Sequence, residues 1–139
     1  MKVRDVMTRD IETIAADSNL LTAAKVLRRR NIGFLPVVSG DTVIGVLTDR
    51  DIVVRGIAEG RDPMDVHVRE IMTRVPIWCY AEDVLTEAAT QLEESHIRRL
   101  LVLDADHKLV GLLSIDDLAA HMSSERLLGT VVRNITSTL

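Results

Sequence analysis

The stretch Val3-Arg4-Asp5-Val6-Met7-Thr8-Arg9 returns later in the chain as Val68-Arg69-Glu70-Ile71-Met72-Thr73-Arg74. A recurrence of this kind organises everything around it, because internal repeats dictate architecture before any local propensity does. The same offset carries Ala16, Leu20, Ala23, Ala24, Leu27, Ile32, Leu35 and Val37 onto Ala81, Leu85, Ala88, Ala89, Leu92, Ile97, Leu100 and Val102. One inserted residue between Asp104 and His107 then shifts the offset by one, after which Gly45, Leu47 and Asp51 match Gly111, Leu113 and Asp117.

Working outward, each copy shows the same series of elements. Leu20, Ala23, Ala24 and Leu27 fall on one face of a helix, and Leu85, Ala88, Ala89 and Leu92 repeat that face. Asp17 and Ser18, and Glu82 and Asp83, are the expected start signals of these helices. A strand pair follows, Leu35 to Ser39 and Thr42 to Thr48 around Gly40-Asp41, and then Leu100 to Asp104 and Lys108 to Ser114 around Ala105-Asp106. These strands are apolar on both faces, as buried ones are. A second helix is expected from about Asp49 to Ala58, stopped by Gly60 and Pro63, and from about Asp116 to Met122. Short strands near Ile11 to Ala15 and Ile77 to Tyr80 precede the first helices. The fold class that results is mixed α/β (α+β), with tandem β-α-β-β-α repeats at residues 1–62 and 63–139. A half of this size has little core of its own, so the two are expected to bury their sheets against each other as one module with pseudo-two-fold symmetry.

Composition excludes several classes of function. Of 139 residues, 47% are apolar and 27% charged, the balance of an ordinary globular domain. Phe34, Trp78 and Tyr80 are the whole aromatic set, leaving few platforms for stacking nucleic-acid bases. The net charge of −4 and the absence of a long basic tract argue against binding to a duplex, and Arg28, Arg29 and Arg30 read as a solvated helix end. Cys79 is alone and forms no internal disulfide. Charges in Met1 to Asp10 break any signal-peptide pattern, and no apolar run reaches the length of a membrane span. The expected location is the cytoplasm, with no nucleic-acid or membrane partner.

Chemistry concentrates where the third strand meets the second helix. Gly45-Val46-Leu47-Thr48-Asp49-Arg50-Asp51 and Gly111-Leu112-Leu113-Ser114-Ile115-Asp116-Asp117 share Gly, two apolar residues, Thr or Ser, two variable residues and Asp. Thr48 and Ser114 stand at a helix start, where free N–H groups favour an anion such as phosphate. Asp51 and Asp117, one turn on, can accept from adjacent ribose hydroxyls, as a carboxylate does in dinucleotide folds. Ser or Thr followed three residues later by an acid is also close to a capping box, which only satisfies orphan N–H groups. Duplication copies a cap as faithfully as a binding site, so both readings stand at this point.

The doubled element order, the strand Leu35-Pro36-Val37-Val38, the Val-Arg-Asp-Val-Met-Thr opening and Gly45-Val46-Leu47-Thr48-Asp49-Arg50-Asp51-Ile52 together resemble the CBS domain family, over nearly the whole chain. The run Thr48 to Gly56 is most similar to stand-alone bacterial CBS-pair proteins (Bateman modules) of the hypoxic response protein type. The resemblance implies a cleft between the halves with two symmetry-related sites for AMP, ADP, ATP or S-adenosylmethionine. It carries phosphate and ribose contacts onto Thr48, Asp51, Ser114 and Asp117. A basic pair that meets phosphate falls on Arg98 and Arg99 in the second half, whereas Gly33 and Phe34 replace it in the first. The two sites are therefore expected to differ in their preference for phosphate. Adenine would lie against apolar strand residues and backbone, with Ile14, Ile32, Cys79 and Ile97 as candidates.

Other groups carry less. His67, His96, His107 and His121 lack close ligand spacing, so no metal site is expected. Cys79 lacks a base beside it and reads as a packed small hydrophobe, and Glu93-Glu94 as a solvated face. Met7 and Met72 recur at equal places, which favours packing. The expected function is a non-catalytic regulatory module, without a resident cofactor, that senses an adenosine-containing ligand, dimerises with its own kind and acts on an unidentified protein. The alternative is a dimerisation and docking scaffold in which both Ser/Thr-x-x-Asp stretches are only caps.

Overall fold

The apolar faces picked out by periodicity become the buried sides of α1 (Leu20–Arg30) and, in the second repeat, of an equivalent helix. Leu20 and Ala23 are fully buried, and Val26 and Leu27 nearly so. This computed structural model describes residues 1–74, 77–121 and 133. Asn19, not Asp17 or Ser18, caps α1: its side-chain oxygen accepts from the Thr22 N–H at 2.8 Å, satisfying one of the orphan donors of the first turn. Asp17 pairs with Arg69 instead. The helix closes with Asn31 in the left-handed region (φ 54°), and the Ile32 N–H reaches back to the Leu27 carbonyl at 3.1 Å.

The strands follow the predicted order. β1 (Ile14–Ala15) runs parallel to β2 (Phe34–Ser39), which pairs antiparallel with β3 (Thr42–Thr48). Gly40, with φ of 61°, makes the tight turn between β2 and β3, a conformation that favours glycine. The predicted second helix differs from expectation. α2 (Asp49–Asp51) runs into a π-helical segment, Ile52–Ile57, whose i+5 geometry shows in the Ala58 N–H to Val53 carbonyl bond of 2.8 Å. Gly56 is buried there, and a side chain on it would come within 2.8 Å of Leu20 Cδ1 on α1. A short helix, α3 (Val68–Ile71), ends this part of the chain.

The second copy repeats the pattern. β4 (Trp78–Tyr80) is parallel to β5 (Arg99–Leu103), which is antiparallel to β6 (Leu109–Ser114). α4 (Leu85–Ser95) buries Leu85, Ala88, Ala89 and Leu92, and His96 (φ 54°) ends it as Asn31 ends α1. α4 has no side-chain cap; of the predicted start residues, Asp83 accepts from the Tyr80 N–H and Glu82 pairs with Lys2 and Arg4. The inserted residue lies in the β5–β6 turn, where Asp104 Oδ1 accepts from the N–H groups of Asp106 and Lys108. α5 (Ile115–His121) follows, and the predicted end at Met122 lies outside the described residues.

Packing does not divide the chain at the 62/63 boundary between the sequence repeats. One unit joins Met1–Ile11 to the residues from Ile77 onward; the other begins at Glu12 and takes in the recurrent opening of the second repeat. Each unit therefore holds the opening segment that belongs, by sequence, to the other repeat. The reason is backbone pairing. Thr8 and Leu112 exchange two N–H to carbonyl bonds of 2.8 and 2.9 Å, and Thr73 and Val46 do the same in the other unit. The repeated glycines make that approach possible: a Cβ on Gly45 would lie 2.7 Å from the Thr73 carbonyl oxygen, and one on Gly111 would lie 2.7 Å from Met7 Sδ. Met7 and Met72 are accordingly buried, each in its own unit's apolar core, with Leu100, Val102, Leu113 and Leu118 in one and Leu20, Leu35, Val37 and Leu47 in the other. No helix among the described residues is long and apolar enough to cross a membrane.

Candidate functional site

The strand-to-helix junctions form the same small structure twice. At the end of β3, Thr48 is extended (φ −113°, ψ 161°) and turns the chain into α2. Its Oγ1 accepts from the Asp51 N–H at 3.0 Å, while its own N–H donates to Asp51 Oδ2 at 3.0 Å. At the end of β6 the Asp117 N–H donates to Ser114 Oγ at 3.1 Å, and the Ser114 N–H to Asp117 Oδ2 at 2.9 Å. Both are complete capping boxes, so the cap is realised in each unit.

The caps leave binding capacity. A carboxylate offers about four lone-pair positions, and each cap uses one. The remaining oxygen of each Asp is approached by a threonine from the recurrent opening: Thr8 Oγ1 donates to Asp117 Oδ1 at 3.1 Å, and Thr73 Oγ1 to Asp51 Oδ1 at 3.4 Å. Thr48, Asp51, Ser114 and Asp117 are all half-buried, and the Thr48 and Ser114 hydroxyl protons are not consumed by the caps. Each unit thus presents a hydroxyl and a carboxylate edge within one turn of chain, with a threonine hydroxyl brought to them from the recurrent opening. Sequence reasoning singles out the first two and misses Thr8 and Thr73; the signal is the recurrent Met-Thr dipeptide, of which the Met serves packing and the Thr reaches the carboxylate.

The basic pair falls beside one of these junctions. Arg99 lies opposite Ser114 in the β5–β6 register, the Arg98 carbonyl accepts from the Ile115 N–H at 3.1 Å, and both arginines are exposed. In the other unit Phe34 lies opposite Thr48, and the Gly33 carbonyl accepts from the Asp49 N–H. A Cβ on Gly33 would sit 3.0 Å from Asp49 Oδ2, so a carboxylate crowds the place where the second unit has Arg98. The two junctions therefore differ here: two arginines lie beside Ser114, and a carboxylate lies beside Gly33.

The adenine candidates separate into two kinds. Ile14 and Cys79 are buried in the cores of β1 and β4, so what those strands offer at an open surface is backbone along their outer edges. Ile32 is exposed and Ile97 half-buried, each just past a helix end. Burial, reinforced by the nearby Asp83 carboxylate, pushes the Cys79 thiol up to about 12, which suits a packed residue and not a nucleophile. Each described histidine has a local setting: His67 precedes α3 and its N–H donates to Glu70, His96 closes α4, His107 meets the Tyr80 hydroxyl, and His121 ends α5. A cavity of about 430 Å3, lined by Tyr80, Ala81, Glu82, Leu103, Asp104 and Ala105, lies at the opposite end of β5 from Ser114 and so is separate from the junction chemistry.

Comparison with known proteins identifies the family and the fold. The family model described as CBS domain matches residues 3–56 and again 68–124. The CBS domain-containing protein YhcV of Bacillus subtilis is 33% identical over 134 residues, 96% of this chain and 94% of that protein. The crystal structure of Hypoxic Response Protein I with two coordinated zinc ions superposes with a TM-score of 0.78 at 32% identity, covering 88% of this chain and 99% of the other. The CBS domain pair of protein MJ0100, solved with 5-methylthioadenosine and S-adenosyl-L-methionine, superposes with a TM-score of 0.73 at 25% identity, covering 86% and 94%. No group of three or more His, Cys, Asp or Glu able to hold a metal ion occurs among the described residues.

Proposed function

The chain belongs to the CBS domain family, carrying two copies in tandem, and from that membership we propose that it is a regulatory module that binds an adenosine-containing small molecule. The observation that carries this reading is the pair of half-satisfied carboxylates. Asp51 and Asp117 are each held by a backbone N–H on one oxygen and keep acceptor capacity on the other, the arrangement that suits the adjacent hydroxyls of a ribose. The Thr48 and Ser114 hydroxyls stand one turn away as donors to phosphate or another polar tail. AMP, ADP, ATP and S-adenosylmethionine are the candidate ligands, and the complex of the MJ0100 pair with two adenosyl compounds supports the class. The module works by differential affinity for two packings and not by turnover, so its ligand shifts a conformational equilibrium that a partner protein reads.

The test is calorimetric titration of the protein with each candidate, repeated on Asp51→Ala and Asp117→Ala. Binding that each substitution weakens, and the pair removes, supports the reading. Undiminished binding by the double variant contradicts it.

A second reading, the docking scaffold, is favoured by a specific observation: both caps are complete without any ligand. Val53, Val54 and Ile57 on the π-helical segment are also exposed, a surface on which a second copy could pack. A stable dimer indifferent to every adenosine compound would favour that reading.

A further inference from the structure

The junction at Thr48 lacks the basic pair that the junction at Ser114 has, yet it is not without a cation. Arg55 lies on the π-helical segment that continues α2, and its Nη1 donates to the Met72 carbonyl at 3.2 Å and approaches Thr73 Oγ1 at 3.5 Å. Thr73 Oγ1 is the group that reaches Asp51 Oδ1 at 3.4 Å. Arg55 is therefore one threonine hydroxyl away from the carboxylate assigned to the ribose.

Three features make this placement more than an ordinary surface arginine. Its described partners are a carbonyl and a hydroxyl, both neutral, and none of the ion pairs among the described residues involves it. Both contacts are made by Nη1, which leaves the rest of a five-donor guanidinium for another acceptor. The backbone that carries it is a π turn, a feature often found at functional sites, and the residue at the position of Arg55 in the other unit is His121. Each unit thus has arginine near its junction, brought by β5 in one and by the helix in the other.

We propose that Arg55 is the anion-recognising residue of the Thr48/Asp51 site, binding the phosphate of a nucleoside phosphate whose ribose is held by Asp51. The inference rests on the adenosine-binding reading above. Asp49, which occupies the side where the other unit has Arg98, repels an anion from that direction and leaves the Arg55 side as the approach.

Titration with AMP and with adenosine separates charge recognition from nucleoside recognition. In Arg55→Gln, AMP affinity should fall by about tenfold at one class of site while adenosine affinity stays as in the parent, the size expected for one charge-assisted hydrogen bond. Arg55→Lys should restore most of the loss. An AMP-to-adenosine affinity ratio unchanged in Arg55→Gln overturns the inference and leaves the site reading intact. Equal loss of both ligands also overturns it, marking Arg55 as a positioning residue that holds Met72 and Thr73. If neither AMP nor adenosine binds the parent protein the inference fails, and if ADP, ATP and S-adenosylmethionine also fail to bind, the site reading fails with it.

Discussion

Asp51 and Asp117 divide their two oxygens between structure and ligand. Replacing either with Ala removes one arm of a capping box, so each variant should lose about 1 kcal/mol of stability, readable by denaturant unfolding. The same variants should lose the preference for ribose over deoxyribose, which a pure cap could not confer. The repeated glycines have a stricter role. A Cβ on Gly111 would meet Met7 Sδ at 2.7 Å and the Thr8 carbonyl at 2.9 Å, and no flexible side-chain tip is available to move away from the second contact. Gly111→Ala is expected to cost about 1–3 kcal/mol, the range for overpacking, with a matching drop in the denaturation midpoint. Cys79, buried and with its thiol pushed up to about 12, should resist alkylation at pH 8 until the protein unfolds. Labelling of the native protein at the rate of free cysteine would contradict its placement.

At the level of elements, α1, α4 and all the strands were readable in the sequence because their cause is local: helical apolar spacing, unbroken apolar runs and turn residues. What was not readable has a non-local cause. Asn19 outcompetes Asp17 and Ser18 as the cap because Asp17 is drawn to Arg69, far along the chain, and Asn19 also donates to the Met64 carbonyl. Asn19→Ala should therefore cost about 1–2 kcal/mol, the upper part of the range for caps. The π turn was likewise hidden, since no composition distinguishes it from an α-helix; the close contact of Gly56 with Leu20 accompanies it. Acid dependence belongs to this scale too. Glu82 is held below the usual carboxylate range by its hydrogen bond to Lys2, and then by Arg4. A depressed carboxylate contributes stability above its unfolded pKa and loses it as pH falls through the folded value. Protection of the Val3 and Arg4 amides, which bond the Asp83 and Ala81 carbonyls, should accordingly fall on acidification below the ordinary glutamate range, as measured by hydrogen exchange. Protection unchanged across that range would show that the pair does not hold the opening segment.

For the whole molecule, the exchange of opening segments makes the sequence repeat and the folded unit different objects. Local periodicity identifies Val3–Arg9 and Val68–Arg74 as copies but cannot tell which sheet each will join; that is decided where Gly45 and Gly111 admit a backbone. The ligand site inherits the exchange, because Thr8 and Thr73 travel with those segments to Asp117 and Asp51. Residues 1–62 and 63–139 expressed separately each lack the segment their sheet binds, and neither is expected to show cooperative unfolding alone, whereas mixing them should restore it. The central claim, that these junctions hold an adenosine compound by its sugar, is tested most directly by thermal unfolding in the presence of AMP, ADP, ATP and S-adenosylmethionine, each against its 2′-deoxy counterpart. A ligand that binds only the folded state raises the midpoint by mass action. The account predicts a rise with at least one riboside that its deoxy form does not match; a midpoint unmoved by all of them, or moved equally by both sugars, would contradict it.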